Sequence, residues 1–381
     1  MNFFVILTTE CDLECSYCYG KIWDGGNDEG KDKVNTEEVD CFLPLTVSYD
    51  VQKLADFCAM DKECGIMFYG GEPMLQPGKI MDIMERVPAK DFMIQTNGLH
   101  LAELPEKYLA RLSGLQISVD GDKSTTDGYR GTGVYDRIIH NLSHVTPQFK
   151  GELIARMTVR EQIDIYKQVM HLVHLGLFDA VHWQLDAGFG PDYGKRKFGK
   201  WAREIYNPGI TKLADEWLSL LRMGIVMRLY PFLGIMQSLL AASRPEAGGI
   251  SPGEAIRLRC GAGWAHYAIQ TDGNIVPCPV MAGMKKFYAG DLSSSPNKLK
   301  EFEVGGRCTG CEMKGTCGGR CLFANEHDFW GSGYDDVCGT VKHLLETMIR
   351  IKPEVEKLIR EGVISFEDFG YTEFNSCEII P

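Results

Sequence analysis

The sequence lacks the features that mark membrane, exported and nucleic-acid-binding proteins. It contains no apolar run long enough to span a bilayer, and its N-terminus lacks the basic start and small-residue cleavage site of a signal peptide. Its net charge is −12 at pH 7, whereas nucleic-acid-binding proteins depend on basic patches. We therefore expect a cytoplasmic protein with neither a nucleic-acid nor a membrane partner.

Several common catalytic motifs are also missing. The chain has neither the G-x-S-x-G elbow of α/β-hydrolases nor a phosphate-binding P-loop, and its length leaves no room for a separate vitamin B12-binding domain. The 381 residues predict two or three domains, and 44% hydrophobic and 24% charged residues are ordinary values for a globular protein. The function must therefore be sought in what the chain has in excess.

Cysteine is in excess, with 14 residues. Because disulfides do not persist in a reducing compartment, clustered cysteines there indicate metal or redox chemistry. The first group is Cys11, Cys15 and Cys18, spaced C-x-x-x-C-x-x-C directly after the apolar run 3–7. Its position just past a predicted strand is where α/β folds place their chemistry. A cubane iron–sulfur cluster takes four thiolates, so three would leave one iron open to another ligand.

The pattern of apolar runs predicts an α/β fold. Because amphipathic stretches separate the runs, they predict a parallel sheet with right-handed crossovers. Six strands are too few for a closed eight-fold barrel, so we expect an open, partial (β/α)6 barrel. The predicted strands cover residues 3–7, 66–69, 92–95, 115–119, 153–159 and 181–185.

The remaining segments define the predicted domain boundaries. The polar insertion 23–36 predicts a mobile loop beside the cysteines, and residues 213–243 predict a helix interrupted at the Tyr230–Pro231 step. The predicted units are the barrel over 1–225, a helical linker over 226–254, a small cysteine-rich domain over 255–345, and a C-terminal helix and tail over 346–381.

A second motif, Gly70-Gly71-Glu72 followed by proline, comes directly after the second predicted strand. Paired glycines let a backbone approach a ligand closely, and a carboxylate there can accept a hydrogen bond from an ammonium group. Taken alone, two glycines at a strand end indicate only a turn.

The third feature is a C-terminal group of seven cysteines with C-x-x-C spacing at its centre. Such pairs are also typical of structural zinc sites, which remain an alternative on spacing alone. The group consists of Cys260, Cys278, Cys308, Cys311, Cys317, Cys321 and Cys338.

Taken together, these motifs resemble the radical S-adenosylmethionine (SAM) superfamily, in particular its peptide-modifying members with a C-terminal SPASM extension. The resemblance includes the aromatic residue before the last cysteine of the first group and two further strand ends, 95–98 and 117–121. It implies a 4Fe-4S cluster on Cys11, Cys15 and Cys18, with SAM on the open iron. The implied SAM-binding residues are Tyr17, Gly70, Gly71, Glu72, Ser118 and Arg130. At Asn97 and Asp120, a role in shaping loop turns is as good an interpretation as ligand contact.

The resemblance also implies two auxiliary 4Fe-4S clusters in the SPASM domain, making three clusters in all. The implied ligands of one are Cys308, Cys311, Cys317 and Cys338, and those of the other are Cys260, Cys278 and Cys321. Some relatives have an eighth cysteine a few residues before the first of the group. Here residues 253–255 contain none, so we expect a non-cysteine position on that cluster.

The implied activity is that of a radical SAM oxidoreductase. The enzyme would cleave SAM reductively to a 5′-deoxyadenosyl radical, which abstracts a hydrogen atom from a peptide or protein substrate. The expected partners are that substrate, a reductant such as flavodoxin or ferredoxin, and a separate leader-peptide-binding protein, because fewer than a dozen residues precede Cys11. The alternatives are a radical SAM dehydrogenase or cyclase of a small molecule, and a non-catalytic iron–sulfur or zinc protein.

The catalytic base is not identified by the sequence. Anaerobic sulfatase-maturing relatives carry an aspartate where this chain has Pro279, which argues against sulfatase maturation because proline cannot exchange protons. Asp186 and His182, in or beside the sixth predicted strand, are candidates. For both, a structural interpretation (a solvated strand-end acid and a hydrogen-bonded histidine) is favoured.

Overall fold

Parallel strands with helical crossovers build the first half of this structure, a computed structural model. It describes residues 1–19, 43–147, 149–186, 196–242, 257–326, 333–375, 377 and 380–381. The predicted insertion 23–36 and residues 253–255 lie outside the described residues. One compact unit contains Met1–Ala155 and Gly261–Phe302, and the other contains Arg156–Gly188, Asp192–Cys260 and Glu303–Pro381.

All six predicted strands are present, each within a few residues of its predicted bounds. They are β1 (Asn2–Ile6), β2 (Gly65–Tyr69), β3 (Asp91–Thr96), β4 (Leu112–Ser118), β5 (Glu152–Val159) and β6 (Ala180–Leu185). Within the first unit the strand order runs from β5 through β4, β3 and β2 to β1, and in the second unit the end of β5 neighbours β6. The pairs from β1 to β4 are parallel. The α/β class with a partial barrel of parallel strands is confirmed.

Strand β1 shows why these segments read as continuous apolar runs. Phe3 is fully buried and meets the ring of Phe57 edge-on at 5.1 Å, whereas Phe4 on the opposite face meets Tyr69 at 5.7 Å. A strand covered on both faces has no solvent side, so its sequence does not alternate between apolar and polar residues.

Three further strands were not predicted. They are β7 (His266–Ile269), β8 (Asn274–Val276) and β9 (Gly290–Asp291). β7 pairs parallel with β1, and β8 and β9 continue the sheet with antiparallel pairs. The turn between β7 and β8 contains Asp272 and Gly273, the latter at φ +90°. Asp-Gly is a hairpin dipeptide, and this signal in the sequence could have located the pair.

The helices lie between the strands and in the second unit. They are α1 (Val51–Ala59), α2 (Pro77–Arg86), α3 (Glu106–Leu109), α4 (Lys123–Arg130), α5 (Val134–Val145), α6 (Ile165–His174), α7 (Phe198–Trp201), α8 (Asn207–Leu221), α9 (Tyr230–Ala241), α10 (Lys314–Cys317), α11 (Leu322–Glu326) and α12 (Tyr334–Arg360).

The region 213–243 differs from the prediction. The break lies at residues 222–229, and Tyr230–Pro231 begins α9 instead of interrupting a helix. Proline is tolerated in the first helical turn because the amide hydrogen that it lacks has no partner there. In the second unit, Trp217 of α8 packs against Phe232 of α9 with ring centroids 5.6 Å apart. Across the described residues, we find no helix with the length and apolar composition needed to traverse a bilayer.

Candidate active site

The cysteine loop, residues 8–19, begins directly after β1. Cys11 is exposed, and Cys15 and Cys18 are half-buried. The amide of Leu13 donates to the Cys11 sulfur at 3.4 Å, and the amide of Cys18 donates to the carbonyl of Cys15 at 3.1 Å. Three thiols on one short loop, with a backbone amide directed at one sulfur, form a donor set that suits an iron–sulfur cluster.

The pKa values of the Cys11 and Cys15 thiols are raised, so metal binding must displace their protons. Cys11 is exposed as a residue, but partial burial of its sulfur raises the pKa of the thiol to about 12. Burial also raises the pKa of Cys15, although the guanidinium of Arg130 opposes that effect. These thiols are therefore neutral at pH 7 without metal, and metal binding must release their protons. Among the described residues, no three His, Cys, Asp or Glu side chains converge on one point as a single ion requires. A cluster needs no such convergence, because each thiolate binds a different iron.

The paired glycines after β2 fit against the cysteine loop itself. The amide of Gly71 donates to the carbonyl of Thr8, and the amide of Glu72 donates to the carbonyl of Glu10, both at 2.8 Å. A Cβ atom on Gly71 would lie 2.0 Å from the Glu10 carbonyl oxygen. Gly70 has a φ of +154°, and a Cβ there would lie 2.4 Å from the Thr8 oxygen. The glycines thus allow one loop backbone to approach the other.

Substituting Gly71 by alanine is therefore expected to displace the start of the cysteine loop, because the backbone carbonyl of Glu10 cannot rotate out of the way. We expect a loss of about 1–3 kcal/mol in the free energy of unfolding, the usual cost of overpacking, together with weaker iron retention. Urea unfolding and iron analysis of Gly71→Ala measure both. Gly78→Ala is the matched control, because a Cβ at Gly78 meets nothing within 4 Å.

Glu72 is a buried carboxylate that connects β2 to the end of β3. It is 1% exposed and accepts hydrogen bonds from the Thr96 hydroxyl at 2.7 Å and the Asn97 amide at 2.7 Å. A third comes from the Met74 amide at 2.9 Å. Burial raises the pKa of Glu72 to about 7, although these three hydrogen bonds favour the charged form. The carboxyl group therefore titrates near neutral pH.

Asp12, between the first two cysteines, is bound to the loop after β3. Its Oδ1 accepts from the Asn97 side-chain amide at 2.7 Å, and its Oδ2 accepts from His100 Nε2 at 2.9 Å. His100 Nδ1 lies 2.6 Å from Glu103 Oε1. Burial lowers the pKa of His100, but its hydrogen bonds to Asp12 and Glu103 outweigh burial and raise it overall. The sequence analysis missed Asp12 and His100, and no motif marks them.

Asp120 and Arg130 form a buried ion pair beside the cysteine loop. Arg130 Nε and Nη2 donate to the two Asp120 oxygens at 2.8 and 2.9 Å, and the side chains are 6% and 0% exposed. The Tyr17 hydroxyl donates to Asp120 Oδ2 at 2.7 Å, and the Arg130 guanidinium carbon lies 5.5 Å from the centre of the Tyr17 ring. The pair thus fixes the residue that precedes Cys18. Ser118 is half-buried at the end of β4.

The predicted SAM-binding residues therefore lie in the loops after β1 and β2, at the end of β4 for Ser118 and at the end of α4 for Arg130, all within one compact unit. Several of their polar groups have partners within the protein: those of Glu72 in Thr96 and Asn97, and those of Arg130 in Asp120. Contact of these residues with SAM stays a prediction.

In the second unit, four predicted auxiliary ligands are electrostatically coupled. Burial raises the pKa of Cys317 to about 11, and the thiols of Cys308 and Cys338 add to that effect. Burial likewise raises the pKa of Cys338, with contributions from Cys308 and Cys311. The Cys308 sulfur also lies 3.1 Å from the Tyr334 hydroxyl. Mutual electrostatic influence is what four thiols around one cluster would show. The assignment stays a prediction, as does that of Cys260, Cys278 and Cys321.

The two candidate bases are buried. Asp186 follows β6 and lies in ion pairs with Arg160 at 3.0 Å and Arg196 at 3.3 Å. His182 is 0% exposed within β6. Asp186 is thus a paired acid instead of the solvated one that the structural interpretation assumed.

Solved structures share this architecture along most of the chain. anSMEcpe with bound AdoMet, that is SAM, is 15% identical, covers 95% of this chain and 98% of its own, and gives a TM-score of 0.65. SuiB of Streptococcus suis bound to SAM is 15% identical, covers 84% of this chain and 72% of its own, and gives a TM-score of 0.56. The chain has the radical SAM fold with a SPASM-like extension. The predicted resemblance is confirmed.

Sequence comparisons find matches in the N-terminal part of the chain. Residues 3–128 match a family described as a 4Fe-4S single cluster domain. The probable GTP 3′,8-cyclase of Methanocaldococcus jannaschii is 29% identical over 120 residues, which are 30% of this chain and 35% of that protein. That of Pyrococcus abyssi is 26% identical over 152 residues, 39% and 44% of the two chains. The chain thus spans less than half the length of the curated relatives it matches.

Proposed function

We propose that this protein is a radical SAM enzyme that modifies a peptide or protein substrate. The observation that carries the proposal is the placement of Cys11, Cys15 and Cys18 on one loop whose backbone is hydrogen-bonded to the Gly70–Glu72 loop. This arrangement brings a three-thiolate donor set next to a buried carboxylate. The match of residues 3–128 to a 4Fe-4S single cluster domain supports the cluster, and the SAM bound in the neighbours of similar fold supports the co-substrate.

When bound, the reduced cluster and SAM supply a 5′-deoxyadenosyl radical, with methionine as the other product, and that radical takes a hydrogen atom from a substrate carbon. The chain's own residues bind and orient these groups. The three cysteines provide the thiolates, and Asp12 and Tyr17 hold the loop between them through Asn97 and Asp120. An external reductant such as flavodoxin or ferredoxin supplies the electron.

Because Glu72 titrates near neutral pH, proton release on SAM binding can be measured. Burial raises the pKa of its carboxyl group to about 7, so Glu72 is partly protonated near neutral pH in the SAM-free protein. The amino group of SAM, which would lose its ammonium proton on binding the open iron, would donate an N–H to Glu72, favour the charged carboxylate and lower that pKa. We therefore expect net proton release when SAM binds near pH 7, from Glu72 and from the SAM amino group, and SAM affinity that rises with pH through this region, since the bound state holds fewer protons.

Titration calorimetry of the reconstituted protein in two buffers of different ionisation enthalpy measures this proton release. Glu72→Gln removes one of these two sources of protons, so it should release fewer protons than wild type on SAM binding. Glu85→Gln is a control that removes an exposed carboxylate of α2 outside the predicted SAM-binding residues. Proton uptake, or equal release by wild type and Glu72→Gln, would contradict the assignment of Glu72 to SAM.

The peptide or protein substrate is supported by the solved neighbours. anSMEcpe has been solved with the Cp18Cys peptide and SuiB with the precursor peptide SuiA, and they cover 93% and 84% of this chain. Pro279, in place of the aspartate of sulfatase-maturing enzymes, argues for a different modification. A separate leader-peptide-binding protein is part of the proposal.

A small-molecule cyclase is the second candidate, favoured by the sequence match to probable GTP 3′,8-cyclases. One experiment separates the two. Reconstituted protein, SAM and dithionite are incubated with peptides encoded beside the gene, with GTP, or with neither. A mass change on a peptide with matching 5′-deoxyadenosine supports the proposal, whereas conversion of GTP alone supports the second candidate. If no arm yields 5′-deoxyadenosine, both are wrong.

A further inference from the structure

We propose that His100 is a positioning residue that holds Cys11 in place through Asp12, and so controls how firmly the cysteine loop retains its cluster. The inference concerns the loop itself and rests on the proposed function only in that the cargo is an iron–sulfur cluster. The contact spans 88 positions of the chain, from the loop after β3 to the loop after β1.

Asp12 is the residue of this loop whose side chain is hydrogen-bonded to the loop after β3. Its two oxygens are held from two directions, by the Asn97 side chain at 2.7 Å and by His100 at 2.9 Å. The side chains of Asp12 and His100 are 28% and 21% exposed. The hydrogen bond between them lies at the surface, but its acceptor is a carboxylate, and hydrogen bonds with a charged partner contribute more than neutral ones do.

The support under His100 is itself rigid. Glu103 fixes the other ring nitrogen at 2.6 Å. The Asn141 side chain of α5 donates to the carbonyls of Gly98 and Leu99 at 2.9 and 3.0 Å. The backbone before His100 and its Nδ1 are therefore both hydrogen-bonded, and its Nε2 faces Asp12.

Cys11 is the cysteine on which such a contact acts most strongly. It is the exposed member of the three, and Cys15 and Cys18 are half-buried. Its peptide neighbour is Asp12, so release of Asp12 allows Cys11 to swing away. An exposed ligand that leaves first opens the cluster to solvent and chelators.

The test is a double-mutant cycle on iron release from the reconstituted protein to a strong chelator. His100→Ala and Asp12→Ala should each release iron about tenfold faster than wild type. The double variant should be no faster than Asp12→Ala, because Asp12→Ala already removes the contact with His100 as well as that with Asn97. His100→Gln, which keeps a donor toward Asp12, should restore slow release in part. His140→Ala, a change at an exposed histidine of α5, should behave as wild type.

A second measurement keeps this inference separate from the proposed function. In the metal-free chain, labelling of Cys11 by a thiol reagent, followed by peptide mapping, should be faster in His100→Ala than in wild type. Labelling of Cys58, fully buried in α1, should not change. Additive effects in the cycle, or equal labelling of Cys11 in both chains, would overturn the role of His100. Absence of bound iron in wild type would instead overturn the proposed function and leave the labelling result valid.

Discussion

Replacing Cys11, Cys15 and Cys18 together by alanine is expected to abolish 5′-deoxyadenosine formation and to remove about four of the roughly twelve iron atoms that the three proposed clusters would hold, since each cubane cluster holds four. The reason is that the loop supplies every protein ligand of the proposed SAM-binding cluster. Iron analysis and chromatography of 5′-deoxyadenosine after reduction with dithionite in the presence of SAM measure both effects.

The auxiliary ligands provide the matched control. Replacing Cys308, Cys311 and Cys317 by alanine should remove a similar amount of iron but leave SAM cleavage measurable, because these residues lie in the other compact unit. Retention of all iron by the N-terminal triple variant would mean that those cysteines hold no cluster. Equal loss of SAM cleavage in both triple variants would mean that the N-terminal group has no special role.

Asp120→Asn is expected to destabilise the protein by about 3–5 kcal/mol, because it leaves the Arg130 guanidinium buried without its carboxylate partner. The two side chains are 0% and 6% exposed and share two hydrogen bonds. The Tyr17 hydroxyl loses a charged acceptor as well, so iron retention should also fall. Urea unfolding of the metal-free chain measures the loss of stability.

An exposed pair on the neighbouring helices is the control. Lys123 and Asp136 are hydrogen-bonded with side chains 57% and 60% exposed, so Asp136→Asn should cost less than about 1 kcal/mol. Asp120→Asn combined with Arg130→Met should recover part of the lost stability, because no unpaired charge remains. If Asp120→Asn were as mild as Asp136→Asn, the buried pair would not be what holds Tyr17.

The barrel strands could be predicted because each is covered on both faces and reads as a short apolar run. β7, β8 and β9 could not be predicted in the same way, since they contain four, three and two residues. Such short strands depend on pairing with a neighbour, in this case β1 for β7, and not on their own sequence. The Asp272–Gly273 turn was their one local signal.

In the candidate site too, local features could be predicted from the sequence and long-range contacts could not. Cysteine spacing and the paired glycines are local patterns, so the sequence analysis identified them. The contact between Asp12 and His100 joins residues far apart in the chain and depends on the side-by-side placement of β1, β2 and β3. The structure pairs Arg130 with Asp120, which no pattern in the sequence indicated, and the SAM contact that the resemblance implied for Arg130 stays a prediction. Spacing predicts which residues share a loop but not which polar groups pair across loops.

The most direct test of the central claim is electron–nuclear double resonance on the reduced, reconstituted protein with SAM isotopically labelled in its amino and carboxylate groups. If Cys11, Cys15 and Cys18 leave one iron open, both labelled groups should show couplings to the cluster spin, and the N-terminal triple variant should show none. A reduced cluster that shows no coupling to either group, with its fourth iron bound by a protein side chain, would contradict the account.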